Sequence, residues 1–508
     1  MDQKTIKRNR LMFPLGTVGR DMMYQLFTNF LYTFVLFTKG LDKSQLAVIA
    51  AIMIAARVFD ALNDPLMGNI IDRTRTKWGK FKPGLLVGIL TTSLVIYAAF
   101  NVKLKGWPFV IFFGFIYFMY SITYTMHDIS YWGMIPSLST DAAERNLLTS
   151  RTNLFAGIGA TLATVLIQML TVGTMTIGRS TVTAYGIIAA VIAVLGPLFL
   201  FFTIFGVREN RDYEKEPAPK VSFKKIIQTI MGNDQLRWIV PIFLLQQIGN
   251  GFIVGGIGST YIYFQFGYAG GLYSTFSIIG MAATAVLMVL YPMISAKIRR
   301  KALMKKLLVA SMAGYALMLV AGLVSTGLGK FAFPLLTIGF MVSNLGQYGF
   351  YLIMMISILN TVEYNEYNTG NRDDAIIAAV RPFVTKLGSA LIIAFTTISY
   401  LIFNVTDITK QISELEQAAQ VAQVGIVEEA ALKAIEADKL AKVEEVLKTV
   451  TKSQTVGLLL VMVFFSLVFM LATHILYMKH YKLDEPEYDR ICEELEARKA
   501  AEAAAAEQ

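Results

Sequence analysis

The chain contains 508 residues, of which 55% are hydrophobic and only 16% are charged. This composition is too apolar for a soluble protein of the same length, and apolar stretches of about 20 residues or more recur along it, each long enough to cross a hydrocarbon core of about 30 Å. The stretches do not alternate in hydrophobicity, which excludes a transmembrane β-barrel. The net charge of +10 does not indicate nucleic-acid binding, because the basic residues collect in alternate loops between the apolar stretches.

Hydropathy and loop charge predict twelve membrane-spanning helices, with both termini in the cytoplasm. The predicted spans are residues 11–38, 44–71, 84–101, 107–138, 150–173, 181–206, 236–265, 272–295, 307–325, 331–359, 378–404 and 454–478. A polar segment that contains Pro217 and Pro219 separates the sixth span from the seventh, so the chain divides into two halves of six spans.

This division resembles the major facilitator superfamily, whose two halves enclose a central substrate cavity. We therefore expect an all-α polytopic membrane protein with the major facilitator fold. The expected domains are an N-terminal six-helix bundle at 1–207, a cytoplasmic linker at 208–235, a C-terminal six-helix bundle at 236–480 and a cytoplasmic tail at 481–508.

An extra segment at 406–453 lies between the eleventh and twelfth predicted spans. Its Glu, Lys, Ala and Val content favours amphipathic helix, and Gly425 marks an expected break between two helices. Its apolar residues at helical spacing are Leu432, Ile435, Val443, Val446, Leu447 and Val450. The predicted topology makes it extracytoplasmic, and we interpret it as a solvated insert without a role in transport, because surface insertions are well tolerated.

Charged residues inside the second predicted span indicate a cation site. Asp60 and Asp64 are four residues apart and share a helix face, with Asn63 three residues after Asp60. Two carboxylates on one turn repel each other unless a proton or a hard cation lies between them. The alternative is that Arg57, one turn before Asp60, neutralises a packed helix; intramembrane charges more often mark ion pathways.

The fourth span carries a carboxylate and an indole one turn apart, Asp128 and Trp132. A carboxylate accepts hydroxyl hydrogen bonds, and an indole face covers the apolar C–H side of a pyranose, so the pair suits a sugar. The alternative is that Trp132 packs against a neighbouring helix or lies at the membrane interface. The neighbouring His127 permits proton relay, although we favour a plain hydrogen-bond donor.

Taken together, the motifs resemble the glycoside-pentoside-hexuronide:cation symporter family. Residues 60–68 and their continuation at 78–83 are similar to the signature that follows the second span in that family. Residues 68–73 also resemble the loop motif of the wider superfamily. The resemblance covers nearly all predicted spans and is strongest in the second, the fourth and the tenth-to-eleventh region.

The resemblance implies a role for each of several side chains. A sodium site is implied at Asp60, Asn63, Asp64 and Thr125. Sugar contacts are implied at Arg20, Asp21, Tyr124, Asp128, Trp132, Arg151, Asn153, Tyr351 and Lys386. A cytoplasmic gate is implied at Asp72, Arg73, Arg145, Glu363 and Arg372. Two departures bear on the substrate: the family's sugar-contacting arginine falls at Asn153, with Arg151 on a different face, and Tyr351 replaces a tryptophan.

The expected function is cation-coupled symport of a sugar or glycoside, with Na⁺ favoured and H⁺ as the other candidate ion. We expect no cofactor besides the coupling ion, no nucleic-acid partner, contact with membrane lipid, a monomer, and a bacterial inner-membrane location. The single cysteine, Cys492, allows no intrachain disulfide or thiolate metal cluster.

Alternative functions for the same sequence are a lysolipid symporter and a sugar sensor that does not transport. An intramembrane acid protease is disfavoured, because its two aspartates would face each other from separate elements.

Overall fold

The computed structural model describes residues 3–139, 141–209, 223–254, 256–371 and 373–506. The described chain is built of helices, and the predicted gate residue Arg372 lies outside it. The α-helices are α1 (Gln3–Gln25), α2 (Leu31–Thr38), α3 (Lys43–Arg73), α4 (Lys82–Asn101), α5 (Gly106–Leu138), α6 (Ala142–Thr171), α7 (Thr181–Gly206), α8 (Phe223–Gly232), α9 (Asp234–Val254), α10 (Gly256–Phe266), α11 (Gly270–Ser295), α12 (Arg300–Leu323), α13 (Ser325–Leu328), α14 (Ala332–Thr369), α15 (Asp374–Ile402), α16 (Val405–Ala422), α17 (Glu429–Lys448), α18 (Lys452–Leu460), α19 (Ser466–His480) and α20 (Glu485–Ala506).

Eleven helical segments in these ranges are long and apolar enough to span a membrane, and they correspond to the second to twelfth predicted spans. The first predicted span lies in a helical run from α1 to α2, which a π-helical turn at Leu26–Phe30 divides into pieces of 23 and 8 residues. α1 carries too many charged residues, and α2 is too short, for either to be among the eleven. The prediction of an all-helical polytopic protein is confirmed.

The chain forms two compact units. The first contains residues 1–220, 259–275 and 393–455, and the second contains residues 221–258, 276–392 and 456–508. Residues 393–402 of α15 and the 406–453 insert thus belong to the same unit as the N-terminal helices. The domain limits drawn from the sequence stay a prediction.

Glycines allow close helix packing in the first unit, where α1 packs on α6 and α7, and α4 and α3 both pack on α5. A Cβ atom at Gly159 would lie 2.3 Å from the carbonyl oxygen of Val18, and one at Gly88 would lie 2.7 Å from the amide nitrogen of His127. Small residues at such positions let helix backbones approach without a side chain between them. This packing brings α3 and α5 together along the segments that carry the predicted site.

The insert forms two helices, α16 and α17, and the predicted break is confirmed by Gly425, whose φ of +82° favours glycine. Glu416 and Lys439 are buried and form an ion pair at 3.2 Å. A Glu416 carboxylate oxygen also accepts a hydrogen bond from the amide of Thr181 at the start of α7, 2.8 Å away. The insert is therefore packed onto α7, and its interpretation as a purely solvated segment is wrong.

The tail helix α20 packs on the end of α14 within the second unit. Arg498 donates a hydrogen bond to the carbonyl oxygen of Tyr367 at 3.1 Å, and Lys499 pairs with Glu366 at 2.7 Å. At the start of α20, Glu485 accepts hydrogen bonds from the amide and the side chain of Arg300. These contacts fix the tail against α12 and α14.

Candidate functional site

The four predicted cation ligands lie where α3 and α5 meet. The hydroxyl of Thr125 donates a hydrogen bond to a carboxylate oxygen of Asp64 at 3.3 Å. The amide group of Asn63 donates to the carbonyl oxygen of Ser121 at 3.5 Å, and among the described residues its amide oxygen accepts no hydrogen bond. The structure thus brings carboxylate, amide and hydroxyl oxygens from two helices together, the donor types that a hard cation binds.

Ser121 is a further member of this cluster that the sequence reasoning missed. Its hydroxyl donates a hydrogen bond to Asp60, and its side chain is buried. It lies one turn before Thr125 and therefore on the same face of α5. That spacing was the signal available in the sequence, since a hydroxyl one turn from a predicted ligand faces the same partner helix.

Arg57 gives the cluster its charge balance. Its guanidinium lies 3.5 Å from the second carboxylate oxygen of Asp60, and both side chains are buried. Arg57, Asp60 and Asp64 together carry a formal charge of −1. Arg57 thus offsets one of the two carboxylate charges of the cluster.

A second constellation joins α1 to α5 around the buried side chain of Arg20. Its guanidinium donates to Asp128 at 2.8 Å and to Asp21 at 2.9 Å. Thr17 donates a further hydrogen bond to Asp21. The Asp128 side chain keeps 35% of its surface exposed, against 17% for Asp21, so Asp128 retains an accessible carboxylate edge for hydroxyl groups.

Aromatic rings flank this ionic group. The guanidinium carbon of Arg20 lies 5.2 Å from the centre of the Trp132 ring and 4.9 Å from that of Tyr131. The Tyr124 ring lies 5.2 Å from Tyr120 and 5.5 Å from Tyr24. The predicted residues Arg20, Asp21, Asp128 and Trp132 are thus brought together, and Tyr124 lies one turn earlier on α5.

His127 does not behave as a hydrogen-bond donor, so that expectation is wrong. Its side chain is fully buried, and neither ring nitrogen has a hydrogen-bond partner in the described ranges. The ring packs edge-on against Tyr124 at 4.6 Å. The backbone of α4 approaches the residue closely at Gly88.

Arg151 and Asn153 are both exposed on α6. Within the described ranges neither side chain forms a hydrogen bond or an ion pair with Arg20 or Asp21. The structure therefore leaves open which of the two contacts a substrate.

The second unit holds the remaining predicted sugar contacts. Tyr351 on α14 accepts a hydrogen bond from the guanidinium of Arg381 at 2.7 Å. Lys386 lies five residues after Arg381 on α15 and is half-buried. Sequence reasoning missed Arg381, although an arginine within the predicted span 378–404 was a visible signal of an intramembrane charge.

The predicted gate residues lie at helix ends. Asp72 pairs with Lys80 at 2.6 Å in the turn between α3 and α4, beside an exposed Arg73. Arg145 follows Glu144, whose pKa is lowered by its hydrogen bond from Arg10 at 2.8 Å.

In the second unit, burial and the nearby Glu363 carboxylate raise the pKa of Tyr488 on α20. Glu363 thus faces the tail helix. The ion pairs that these residues would exchange during gating stay a prediction.

Comparison with known proteins places this geometry in context. Residues 12–427 match the MFS/sugar transport protein family. The chain is 28% identical to the raffinose carrier protein of Pediococcus pentosaceus over 75% of this chain and 60% of that protein. It is 27% identical to the lactose permease of Leuconostoc lactis, over 76% and 62% of the two chains. The chain thus spans about 60% of the length of these relatives.

Two further comparisons concern a relative that this chain covers over a larger share of its length, and a solved structure. The isoprimeverose transporter of Lactiplantibacillus pentosus is 23% identical over 75% of this chain and 77% of its own length. The crystal structure of a D-xylose-proton symporter superposes with a TM-score of 0.57 at 14% identity, covering 84% of this chain and 98% of that one. At that identity the likeness shows the fold, which is the major facilitator fold.

Proposed function

The chain belongs to the MFS/sugar transport protein family, and we propose that it carries a sugar or glycoside across the membrane together with a cation, sodium in preference to the proton. The membrane in question is the bacterial inner membrane, with both termini in the cytoplasm and the protein acting as a monomer. The three named relatives, a raffinose carrier, a lactose permease and an isoprimeverose transporter, support a sugar as the cargo.

This proposal depends on one observation: α5 contributes side chains to both the cation cluster and the sugar-binding group. Ser121 and Thr125 on this helix bond to the carboxylates of α3, and Asp128, one turn after Thr125, bonds to Arg20 of α1. Thr125 and Asp128 are about 4.5 Å apart along the helix axis. A cation that draws α3 toward α5 therefore acts on the same rigid element that presents Asp128 and Trp132 to a sugar.

In the proposed mechanism the cation binds first, between Asp60 and Asp64, and the sugar then binds at Asp21 and Asp128. Arg20 donates hydrogen bonds to both sugar-binding carboxylates, while Trp132 covers the apolar face of the sugar. Alternating access then exposes the loaded site to the other side of the membrane. Because coupling free energy is reciprocal, the sugar must tighten cation binding by the same factor by which the cation tightens sugar binding.

Sodium is favoured as the cation because several oxygen ligands of different types surround the cluster, whereas a proton needs only one carboxylate of raised pKa. Neither ring nitrogen of His127 has a hydrogen-bond partner in the described ranges, which weakens its case as a proton relay. Asp64→Cys should abolish the sodium effect on transport.

Counterflow in proteoliposomes tests the function directly. Proteoliposomes that contain the purified protein are loaded with each of a panel of mono- and disaccharides, pentosides and uronides, with and without sodium. Exchange of at least one sugar, faster with sodium, is expected. Sugar accumulation under an imposed pH gradient that sodium leaves unchanged would instead identify a proton symporter, and sugar binding without exchange would identify a sensor.

A further inference from the structure

The turn between α16 and α17 exposes apolar side chains on the surface of the insert. Among the described residues 405–453, the exposed large apolar residues are Val421, Val424 and Val427, with 70%, 79% and 92% of their surface accessible. The amide of Val424 donates to the carbonyl oxygen of Val421 at 3.1 Å, and Gly425 reverses the chain with its φ of +82°. We name these three valines the insert tip.

α16 places the insert tip beside the start of α7. The hydroxyl of Ser180 donates to the carbonyl oxygen of Glu416 at 2.9 Å. One turn later, the side-chain amide of Gln420 donates to the hydroxyl of Thr183 at 3.3 Å. Because Val421 follows Gln420 directly, the insert tip begins next to the first turn of α7.

Thr183 begins a stripe along α7 that faces away from the other helices of the unit. Residues spaced one turn apart after it are all apolar and exposed, namely Ile187, Val191, Val194 and Leu198. The opposite face of α7 packs on α1 and α4. α7 is long and apolar enough to span a membrane, so an exposed apolar stripe on it faces lipid. We call it the lipid-facing stripe.

The chain is also fastened on the other side of the turn, where α17 begins. Arg179, just before α7, pairs with Glu429 at 2.6 Å. The buried amine of Lys439 donates to the carbonyl oxygen of Arg179 at 3.1 Å and pairs with Glu416. Contacts on both α16 and α17 therefore hold the insert tip next to the end of the lipid-facing stripe.

The small size of the insert tip favours lipid over protein as the surface that covers it. A stable interface between two proteins buries roughly 800 Å² on each partner, and three valine side chains supply only a small part of such an area. Insertion into a lipid surface needs no minimum area and no matching shape, because burial of apolar surface in the bilayer is favourable in proportion to its area. The tip also continues a surface that already faces lipid.

We propose that the insert tip is a membrane anchor whose valines enter the headgroup region of the outer lipid leaflet beside α7. The insertion is shallow, because the polar side chain of Gln420 and the exposed carboxylate of Glu428 flank the valines on either side. This inference rests on the proposed orientation, in which the insert is extracytoplasmic, and not on the cargo or the coupling ion.

Spin labels test the anchor in the full-length protein reconstituted into lipid nanodiscs, one copy per disc. Single cysteines are introduced by Val424→Cys and Val427→Cys after Cys492→Ser removes the native thiol. Collisions of each label with oxygen, which concentrates in the bilayer, are compared with collisions with a water-soluble nickel chelate. We expect the ratio of oxygen to nickel collisions at both positions to exceed severalfold the ratio of a label in water.

Two further labels provide the reference values. Ala437→Cys reports the ratio in water, because Ala437 is exposed on α17 and lies two residues before the buried Lys439, on the opposite face of the helix. Val194→Cys reports the ratio within the bilayer, because Val194 lies in the middle of the lipid-facing stripe. The two tip labels should give values between these limits.

A charge in the insert tip should remove it from the lipid. Val424→Asp, combined with a label at Val427→Cys, should lower the ratio to that of the label at Ala437→Cys, since a carboxylate resists transfer out of water. Ala437→Asp is the matched control and should leave the ratio of the label at Val427→Cys unchanged. Melting curves show that the labelled variants are folded.

Three results would overturn the anchor. Tip labels with the same ratio as the label at Ala437→Cys would show that the valines face water. Labels shielded from oxygen and from nickel alike in single-copy discs would show that the chain itself covers them. Labels that show dipolar broadening in proteoliposomes, but are exposed to nickel in single-copy discs, would assign the tip to contact with a second copy.

Discussion

Thr125 donates a hydrogen bond to Asp64 at 3.3 Å across 61 residues of sequence, and this bond ties α5 to α3. One turn earlier, Ser121 makes the corresponding contact with Asp60. The two hydroxyls thus form a pair of contacts along one face of α5. Their roles can be separated because each meets a different carboxylate.

The first prediction concerns these hydroxyls. Ser121→Ala and Thr125→Ala each remove one oxygen from the proposed cation site. Each variant should raise the sodium concentration that half-activates sugar binding by about 5- to 10-fold. This is the effect expected for loss of one hydrogen bond or ligand of about 1–1.5 kcal/mol. Ser130→Ala is the matched control on the same helix, because Ser130 bonds only to the backbone of its own helix. Sodium activation that is unchanged in both variants would contradict the site.

The second prediction concerns Asp128→Asn, which keeps the shape of the side chain and removes its charge. Sugar affinity should fall by about 1.5–3 kcal/mol, the range for hydrogen bonds to charged groups. Sodium binding should survive, because Asp60 and Asp64 are untouched. Isothermal titration of sugar and of sodium measures both, and an unchanged sugar affinity in a folded variant would make Asp128 a structural residue.

The third prediction concerns the buried ion pair of the insert. Glu416→Gln leaves Lys439 buried with no carboxylate, while the glutamine oxygen can still accept from the Thr181 amide. The unpaired buried charge should therefore lower the free energy of unfolding by about 3–5 kcal/mol. The exposed pair of Asp438 and Lys442 provides the control, since Asp438→Asn should change stability by no more than about 0.5 kcal/mol. Melting temperatures in detergent compare the two, and equal shifts would show that burial of the pair is unimportant.

The fourth prediction is a pH dependence at Lys39, just after the end of α2. Burial, assisted by the charge of Lys105, lowers its pKa to about 8. The unfolded chain has the higher pKa, near 10.4, and therefore binds more protons between pH 8 and pH 10. Stability should consequently rise with pH across that window relative to Lys39→Met, by roughly 3 kcal/mol in total.

Melting temperatures of the two proteins at half-unit pH intervals measure this difference. A parallel pH response in both proteins would mean that Lys39 titrates at its ordinary pKa. The hydrogen bond from the Lys39 amine to the carbonyl oxygen of Val102 at 2.7 Å survives deprotonation, because a neutral amine still donates.

The sequence by itself determined the helical spans and which candidate site residues share a face within one helix. Long apolar runs require helices, because a hydrocarbon environment leaves each backbone polar group to be satisfied within its own segment. Helical spacing alone places Asp60, Asn63 and Asp64 on one face of their helix. It likewise places Asp128 and Trp132 on a common face. Each of these features depends on residues within one or two turns.

Only the tertiary structure decided which helix faces meet. Three contacts join separate helices. Ser121 bonds to Asp60, Arg20 lies between Asp21 and Asp128, and Glu416 pairs with Lys439. Hydropathy does not encode the rotation of one helix against another, which is set by close contacts such as that of Gly159 with Val18. For the same reason the isolation of His127 and the exposed guanidinium of Arg381 became visible only when the helices were packed.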